Sequence, residues 1–463
     1  MNDDEYLTSV REQYENYPYP TRLPEDEKRT LFVNAADHLG NISHYCFAGK
    51  RDLRDGARFL VAGGGTGDIV MFLGEQLRDT NAEIVYLDLS QASMEIARER
   101  ADIRGLTNIT WHQRSLLELP NMDVGKFDYI NCCGVLHHLE DPVKGLNALA
   151  SVLSEEGAMN IMVYAQYGRT AIYQMQELMR LVNKGIRDLQ QCVDNTHLII
   201  AELPEENAYK RDEARWKGDI DDLGDIEVYD LFLHSQDRAY TVPQVYKWLN
   251  DCDLNMVSFT GFSGQKLKYI ADTYVRNEKL RDLIDKSSIE HQQSIAELMN
   301  GNIKTHTFYV NKQKNTIADH MDFNLVPFYS FTFAPPEVLF NDLSKNTTKA
   351  IELNLGKQIS SLKLDQAKYT RYILRYLDGN RSLCEIVQCI KDDFSNNDDQ
   401  SFNEVSMLAD YNDLFEKFNS YELMFMRAKD IKIYKNHDQL VAETIKRHAP
   451  TISSPGISYS FQM

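Results

Sequence analysis

Between residues 58 and 164 the apolar positions fall into two alternating kinds of stretch. Short runs rich in β-branched and aromatic residues occur at Phe59-Leu60-Val61, Glu83–Leu89, Ile109–Gln113, Asp128–Cys133 and Gly157–Tyr164. Runs that are apolar throughout read as strands buried on both faces. Between them, Ile69-Val70-Met71-Phe72-Leu73 starts one helix, Ser90 caps a second that carries Met94, Ile96 and Ala97, and Val143–Leu153 forms a third with apolar Leu146, Leu149, Val152 and Leu153. Strand–helix alternation predicts an α/β fold, a doubly wound and mainly parallel sheet whose ligands lie at the carboxyl ends of the strands. Leu254–Thr260 and Thr305–Val310 supply a sixth and a seventh strand, after a helix that Thr241 and Gln244 box around Pro243.

Outside this core the pattern changes. In 166–237, Ile172, Met175, Met179, Val182, Ile186, Leu189 and Val193 step by three and four in turn. The repeat predicts a helical insertion with a seam that is the best dimerisation candidate in the chain. Residues 313–355 carry Pro327, Pro335 and Pro336 and read as a linker. In 356–463, a helix stopped by Gly379, a second boxed by Ser382 and Glu385, and the runs Leu408–Phe418 and Leu423–Met426 suggest a small winged-helix-like domain. The division expected is therefore an N-terminal lid (1–50), a cofactor-binding core (51–165), the insertion (166–237), the rest of the core (238–312), the linker and the C-terminal domain.

Charge and cysteine content narrow the function. Fifty basic against 69 acidic side chains leave a net charge of −19, which disfavours a protein that grips a phosphate backbone. The candidate reading helix of the winged-helix-like region carries Glu404, Asp410, Asp413 and Glu416, so nucleic acid is rejected as a partner. Seven scattered cysteines without a C-x-x-C pair read as reduced thiols with no structural zinc. No apolar run reaches the length of a membrane span, and the acidic start lacks a signal-peptide core. A cytoplasmic protein is expected.

The chemistry is concentrated where the first strand ends. Val61-Ala62-Gly63-Gly64-Gly65-Thr66-Gly67 is a turn made almost wholly of glycine, and Asp88 ends the second strand 21 residues after Gly67. Such an acid is placed to accept hydrogen bonds from ribose hydroxyls. The glycine spacing is not G-x-G-x-x-G, and no Lys-Ser/Thr pair follows, so a pyrophosphate or nucleoside triphosphate is disfavoured. S-adenosylmethionine, a ribose-bearing ligand without a phosphate chain, fits. With Phe127–Pro142, whose centre reads Gly134-Val135-Leu136-His137-His138-Leu139, these motifs resemble class I S-adenosylmethionine-dependent methyltransferases of Rossmann-like fold. The runs Arg11–Arg22 and Asp230–Val242 resemble a bacterial group, the rickettsial-type protein-lysine methyltransferases with a methyltransferase regulatory region.

The resemblance implies a cofactor site of Gly63, Gly64, Gly65, Thr66, Gly67, Asp88, Leu89, Ser115, Leu116, Cys133, Gly134 and Tyr14. Ser115 stands where relatives often carry an acid that meets the adenine amine. His137, His138, Tyr17 and Tyr164 are the catalytic candidates, with Tyr19 and Tyr167 completing an aromatic pocket that desolvates an amine. On a strand the two histidines would face opposite ways, so no shared metal is expected. The acceptor implied is a lysine of a protein, outer-membrane proteins included. A small-molecule O- or N-methyltransferase is the alternative, and a non-catalytic scaffold a third reading.

Overall fold

The structure, a computed structural model, describes residues 14–330 apart from 235, 262 and 263, together with 11, 341, 348–355, 358–365, 367–395 and 401–448. Its centre is one sheet of eight strands: β1 (Arg58–Ala62), β2 (Glu83–Asp88), β3 (Ile109–Gln113), β4 (Phe127–Cys133), β5 (Leu153–Ala165), β6 (Ala239–Tyr240), β7 (Asn255–Phe259) and β8 (Thr305–Asn311). The order is β3-β2-β1-β4-β5-β8-β7, with β6 also paired to β5. β1 to β5 pair in parallel, whereas β8 runs antiparallel to both β5 and β7. The strand order reverses between β1 and β4, which puts a crevice at their carboxyl ends.

The alternation within β1 explains why the sheet is buried on both sides. Phe59 and Val61 enter one apolar cluster with Ile84, Tyr86 and Tyr129, while Leu60 and Ala62 enter the other with Val85, Leu87 and Ile130. The first cluster continues into Phe328, Phe425, Tyr434 and Leu440, so the C-terminal part packs on the core itself. Helix Leu39–Cys46 lies between them, its His44 Nδ1 accepting the Met426 N–H at 3.1 Å.

Two segments depart from the sequence reading. The seam of the insertion is not one helix: Thr170–Val182 and Leu189–Glu202 are separate helices with a turn between them. Ile172, Met175, Met179 and Val193 are buried against Tyr209, Trp216, Val228 and Phe232. Most of the apolar stripe is thus consumed inside the chain and is not a free dimer seam. The linker also has structure. β9 (Leu325–Tyr329) pairs with β12 (Met424–Ala428), and β10 (Thr348–Leu355) with β11 (Gln358–Asp365), both antiparallel. β9 and β12 adjoin helices Thr370–Tyr376, Leu383–Ser395 and Glu404–Ser420 around a separate apolar cluster.

One buried carboxylate ties the N-terminal region to the sheet. Asp37 is wholly buried and accepts from the Tyr129 hydroxyl at 2.8 Å and from the Asn131 amide at 2.9 Å. Burial outweighs these hydrogen bonds and raises its pKa to about 6. The native state therefore holds this proton more tightly than the unfolded chain does. The contribution of Asp37 to stability grows as pH falls from above 6 towards 4, and shrinks as pH rises through 6. A carboxyl-carbon NMR titration should find its midpoint near 6. A midpoint at the ordinary aspartate value would mean that water reaches the site.

Candidate functional site

The glycine turn lies at the carboxyl end of β1 and runs into helix Asp68–Gln76, whose N-cap is Gly67. Two of its glycines are demanded by their surroundings. A side chain on Gly64 would stand 2.3 Å from the Tyr86 ring, and one on Gly65 2.6 Å from the Tyr19 carbonyl oxygen. Gly65 also has φ +49°. Tyr86 closes the turn from below, its hydroxyl donating to the Gly65 carbonyl at 2.7 Å. Gly65→Ala is therefore expected to displace the Tyr19 backbone and to weaken cofactor binding by about tenfold or more, read by calorimetric titration. Unchanged affinity would mean that the turn is not the cofactor cradle.

Asp88 faces this turn from the end of β2. Its Oδ2 accepts the Gly65 N–H at 2.8 Å and its Oδ1 the Ser90 N–H at 2.8 Å. A carboxylate offers about four lone-pair positions, so both oxygens keep capacity for ribose hydroxyls. Burial raises the Asp88 pKa, opposed by these main-chain bonds. Bare main chain at the glycine turn and spare lone pairs on the acid beside it suit a ribose-bearing ligand such as S-adenosylmethionine. Leu89 follows, half-buried.

The end of β3 joins the same crevice because Arg114 N–H donates to the Asp88 carbonyl at 2.9 Å. Ser115 and Glu118 form a capping box in which the Ser115 hydroxyl accepts the Leu117 N–H at 3.3 Å, with Leu116 buried beneath. Ser115 thus serves first to start a turn. At the end of β4, Cys133 is half-buried, its thiol pushed well above the ordinary range by burial, and Gly134 N–H donates to the Met162 carbonyl at 3.1 Å.

The N-terminal segment crosses over this crevice. Thr66 donates its N–H to the Tyr19 carbonyl at 3.2 Å and its hydroxyl to the Pro20 carbonyl at 2.7 Å. The Ser90 hydroxyl donates to the Tyr14 carbonyl at 3.1 Å. The Glu15 carboxylate accepts the Gln91 and Ala92 N–H groups at 2.7 and 3.0 Å, capping helix Gln91–Arg104 from outside. Tyr17 stacks on Tyr229 of the insertion with ring centroids 5.6 Å apart, and Tyr14 lies 6.5 Å from the His234 ring. The segment thus bridges the glycine turn and the inserted helices.

Beyond β4 the two adjacent histidines are not on a strand, as the sequence reading had them. They sit in the 3-10 turn Leu136–His138, so their rings lie side by side with centroids 4.1 Å apart. His137 also packs against the Tyr164 ring at 3.9 Å, and His138 stacks on His234 at 3.9 Å. The Tyr164 hydroxyl donates to Asp230 Oδ2 at 3.0 Å, and Arg169 lies over the Tyr164 ring at 3.6 Å. Arg169 in turn pairs with Asp237, which also accepts from Tyr173 and Gln176. Burial, reinforced by His138, holds His137 and His234 well below the ordinary imidazole range. Burial raises the Asp230 pKa and lifts that of Tyr164 well above the phenol range.

The sequence-identified candidates lie at the carboxyl ends of β1 to β5, in the turns after β4 and β5, and in the N-terminal segment that meets them. Sequence reasoning assigned no role to Glu15, Tyr86, Asp230 or His234. Asp230 and His234 had a signal: an acid near the end of helix Asp225–Phe232 and a histidine four residues on, just beyond it.

Residues 60–159 match a family model described as a methyltransferase domain. An uncharacterized protein of Synechococcus is 31% identical over 312 residues, which span 67% of this chain and 72% of that protein. A ubiquinone biosynthesis O-methyltransferase of Alkalilimnicola ehrlichii is 27% identical over 150 residues, and the chain spans 58% of its length. The structure of PKMT2 from Rickettsia typhi, also solved in complex with AdoHcy, superimposes with a TM-score of 0.60 at 17% identity. That superposition covers 86% of this chain and 76% of PKMT2, and it concerns the fold. Among the described residues no helix is long and apolar enough to cross a membrane. With the matched domain laid over both the glycine turn and Asp88, the chain belongs to the class I S-adenosylmethionine-dependent methyltransferases, and S-adenosylmethionine is its cofactor.

Proposed function

We propose that this enzyme methylates lysine side chains of a protein, with outer-membrane proteins the first acceptors to try. The observation that carries the reading is the aromatic and acidic cluster beyond the cradle. There Tyr164 donates to the Asp230 carboxylate and packs on His137, whose charged form burial disfavours, and Tyr14 and Tyr17 approach His234 and Tyr229. Aromatic faces and one acid attract an ammonium group. A desolvated pocket lowers its pKa, and a neutral imidazole accepts its proton. S-adenosylmethionine supplies the electrophilic methyl. In this reading Gly63 to Gly67, Asp88, Leu89, Ser115, Leu116, Cys133, Gly134 and Tyr14 hold it, and Tyr17, Tyr164, His137 and His138 hold and orient the acceptor so that little motion is left to the transfer.

The regions outside the core extend the proposal. The insertion 166–237 is read as flanking the acceptor, and the C-terminal unit, read as winged-helix-like, as docking the polypeptide. Seven free cysteines suit a reducing, cytoplasmic location. Leu181 and Leu198 remain exposed on the insertion and mark the face to test for a homodimer by light scattering.

A small-molecule O-methyltransferase is the second reading, favoured by the core similarity to ubiquinone biosynthesis enzymes. Incubation of cell extract with methyl-labelled S-adenosylmethionine separates the two. Label precipitating with polypeptide supports the first, and label confined to small molecules supports the second.

A further inference from the structure

Two carboxylates meet at the amino end of helix Gln91–Arg104. Asp88 accepts the Ser90 N–H at 2.8 Å, and Glu15 of the N-terminal segment accepts the next two, those of Gln91 and Ala92, at 2.7 and 3.0 Å. A few residues on, the same segment lies on the glycine turn. There the Tyr19 carbonyl takes the Thr66 N–H at 3.2 Å and the Pro20 carbonyl the Thr66 hydroxyl at 2.7 Å. The other N–H groups of the turn are used within the core: Gly63 and Gly64 donate to the Leu87 carbonyl, Gly65 to Asp88 and Gly67 to the Gly64 carbonyl. Residues 15–20 therefore form a strap from the end of β2 to the end of β1, across the two elements assigned to the cofactor.

The ends of this strap are held unequally. Beyond Pro20, Arg22 grips Asp68 through two nitrogens at 2.9 and 2.7 Å, and its guanidinium lies 3.8 Å from the centre of the Phe32 ring. The Arg22 and Asp68 side chains are 10% and 15% exposed, and Asp68 is tied as well to the buried Arg100. The Glu15 side chain is 31% exposed. Glu15 is also among the charges that raise the Asp88 pKa, so a closed strap sets like charges side by side. The strap thus has a buried, doubly paired end and a wetter end whose hold works against a neighbouring acid.

We propose that Glu15 is the releasable latch of this strap, and that S-adenosylmethionine enters and S-adenosylhomocysteine leaves when its carboxylate lets go of Gln91 and Ala92 while Arg22 stays on Asp68. The strap's contacts to Ser90 and Thr66 are neutral hydrogen bonds, weaker than the charge-assisted pair at Glu15. Glu15 is a positioning residue: it acts on exchange through the strap and is not a ligand of the cofactor. The inference rests on the placement of the cofactor between the glycine turn and Asp88, and it holds for a protein or a small-molecule acceptor alike.

The test follows cofactor exchange in the full chain. Enzyme loaded with methyl-labelled S-adenosylmethionine is chased with excess unlabelled S-adenosylhomocysteine, association is timed by stopped flow, and amide hydrogen exchange reads Gln91 and Ala92. Glu15→Gln is expected to speed association and dissociation alike by about tenfold, to leave the dissociation constant within about threefold, and to deprotect both amides. Glu15→Asp, one methylene shorter, should give a smaller rise and serves where Glu15→Gln does not fold. Unchanged rates with both amides deprotected would overturn the proposal. So would an affinity loss carried by dissociation alone, which would make Glu15 a direct ligand. Asp88→Ala without effect on affinity sinks the cofactor placement. Unchanged exchange in Glu15→Gln, with Asp88→Ala impaired, sinks this inference alone.

Discussion

Glu27→Ala should cost about 3–5 kcal/mol of folding stability, the largest effect of any single substitution considered. Glu27 is 1% exposed and pairs with Arg100 and Arg104, themselves 0% and 1% exposed. Arg100 also reaches Asp68 at 2.8 Å, and Arg104 reaches Glu75 at 3.0 Å. Asp68 accepts Arg22 at 2.7 Å, and Glu75 accepts Arg78 and the C-terminal Arg447. Removing the central acid leaves two guanidiniums in the interior with too little counter-charge, and the desolvation they paid is no longer offset. The loss should be visible in urea unfolding, with earlier proteolysis between residues 20 and 30. Glu25→Ala is the control. Its pair with Lys28 is exposed, and about 0.5 kcal/mol is expected. A Glu27→Ala loss below about 1 kcal/mol would mean that water already shields the network.

Asp88→Ala should weaken S-adenosylmethionine by about 2–3 kcal/mol, roughly 30- to 160-fold. Two losses combine. The ribose hydroxyls lose a charged acceptor, and the Gly65 and Ser90 N–H groups lose the oxygens that pin the turn. Asp88→Asn separates them in part, since an amide can satisfy only one of the two main-chain donors. It should fall between wild type and alanine in a calorimetric titration. Affinity unchanged in the alanine variant would remove Asp88 from the cofactor site.

Much of the core was legible because its signals are local. β1, β2, β3 and β4 lie within a residue or so of the positions read from apolar runs, and the Thr241–Gln244 box forms as expected. The glycine turn and Asp88 carry their meaning in spacing. What escaped depends on contacts between distant residues, which leave no periodic trace. Glu27 meets Arg100 across 73 positions and Tyr129 meets Asp37 across 92, and none of these residues breaks a local pattern. The insertion shows the converse error. A regular three-four spacing was carried across a helix break at 183–188, where Gly185 takes φ +87°, and a packed interior face was read as a partner seam. β9 was hidden because Pro327 lies within it, which the edge position of a two-stranded pairing tolerates.

The measurement closest to the central claim is identification of the methylated residue. Proteins fractionated from the source cell would be incubated with the enzyme and methyl-labelled S-adenosylmethionine, digested, and the labelled peptides sequenced by mass spectrometry. The account predicts methyl groups on lysine ε-nitrogens, with labelling lost in Asp88→Ala. Label found on hydroxyl oxygens of small molecules, with no lysine modified in any fraction, would contradict it.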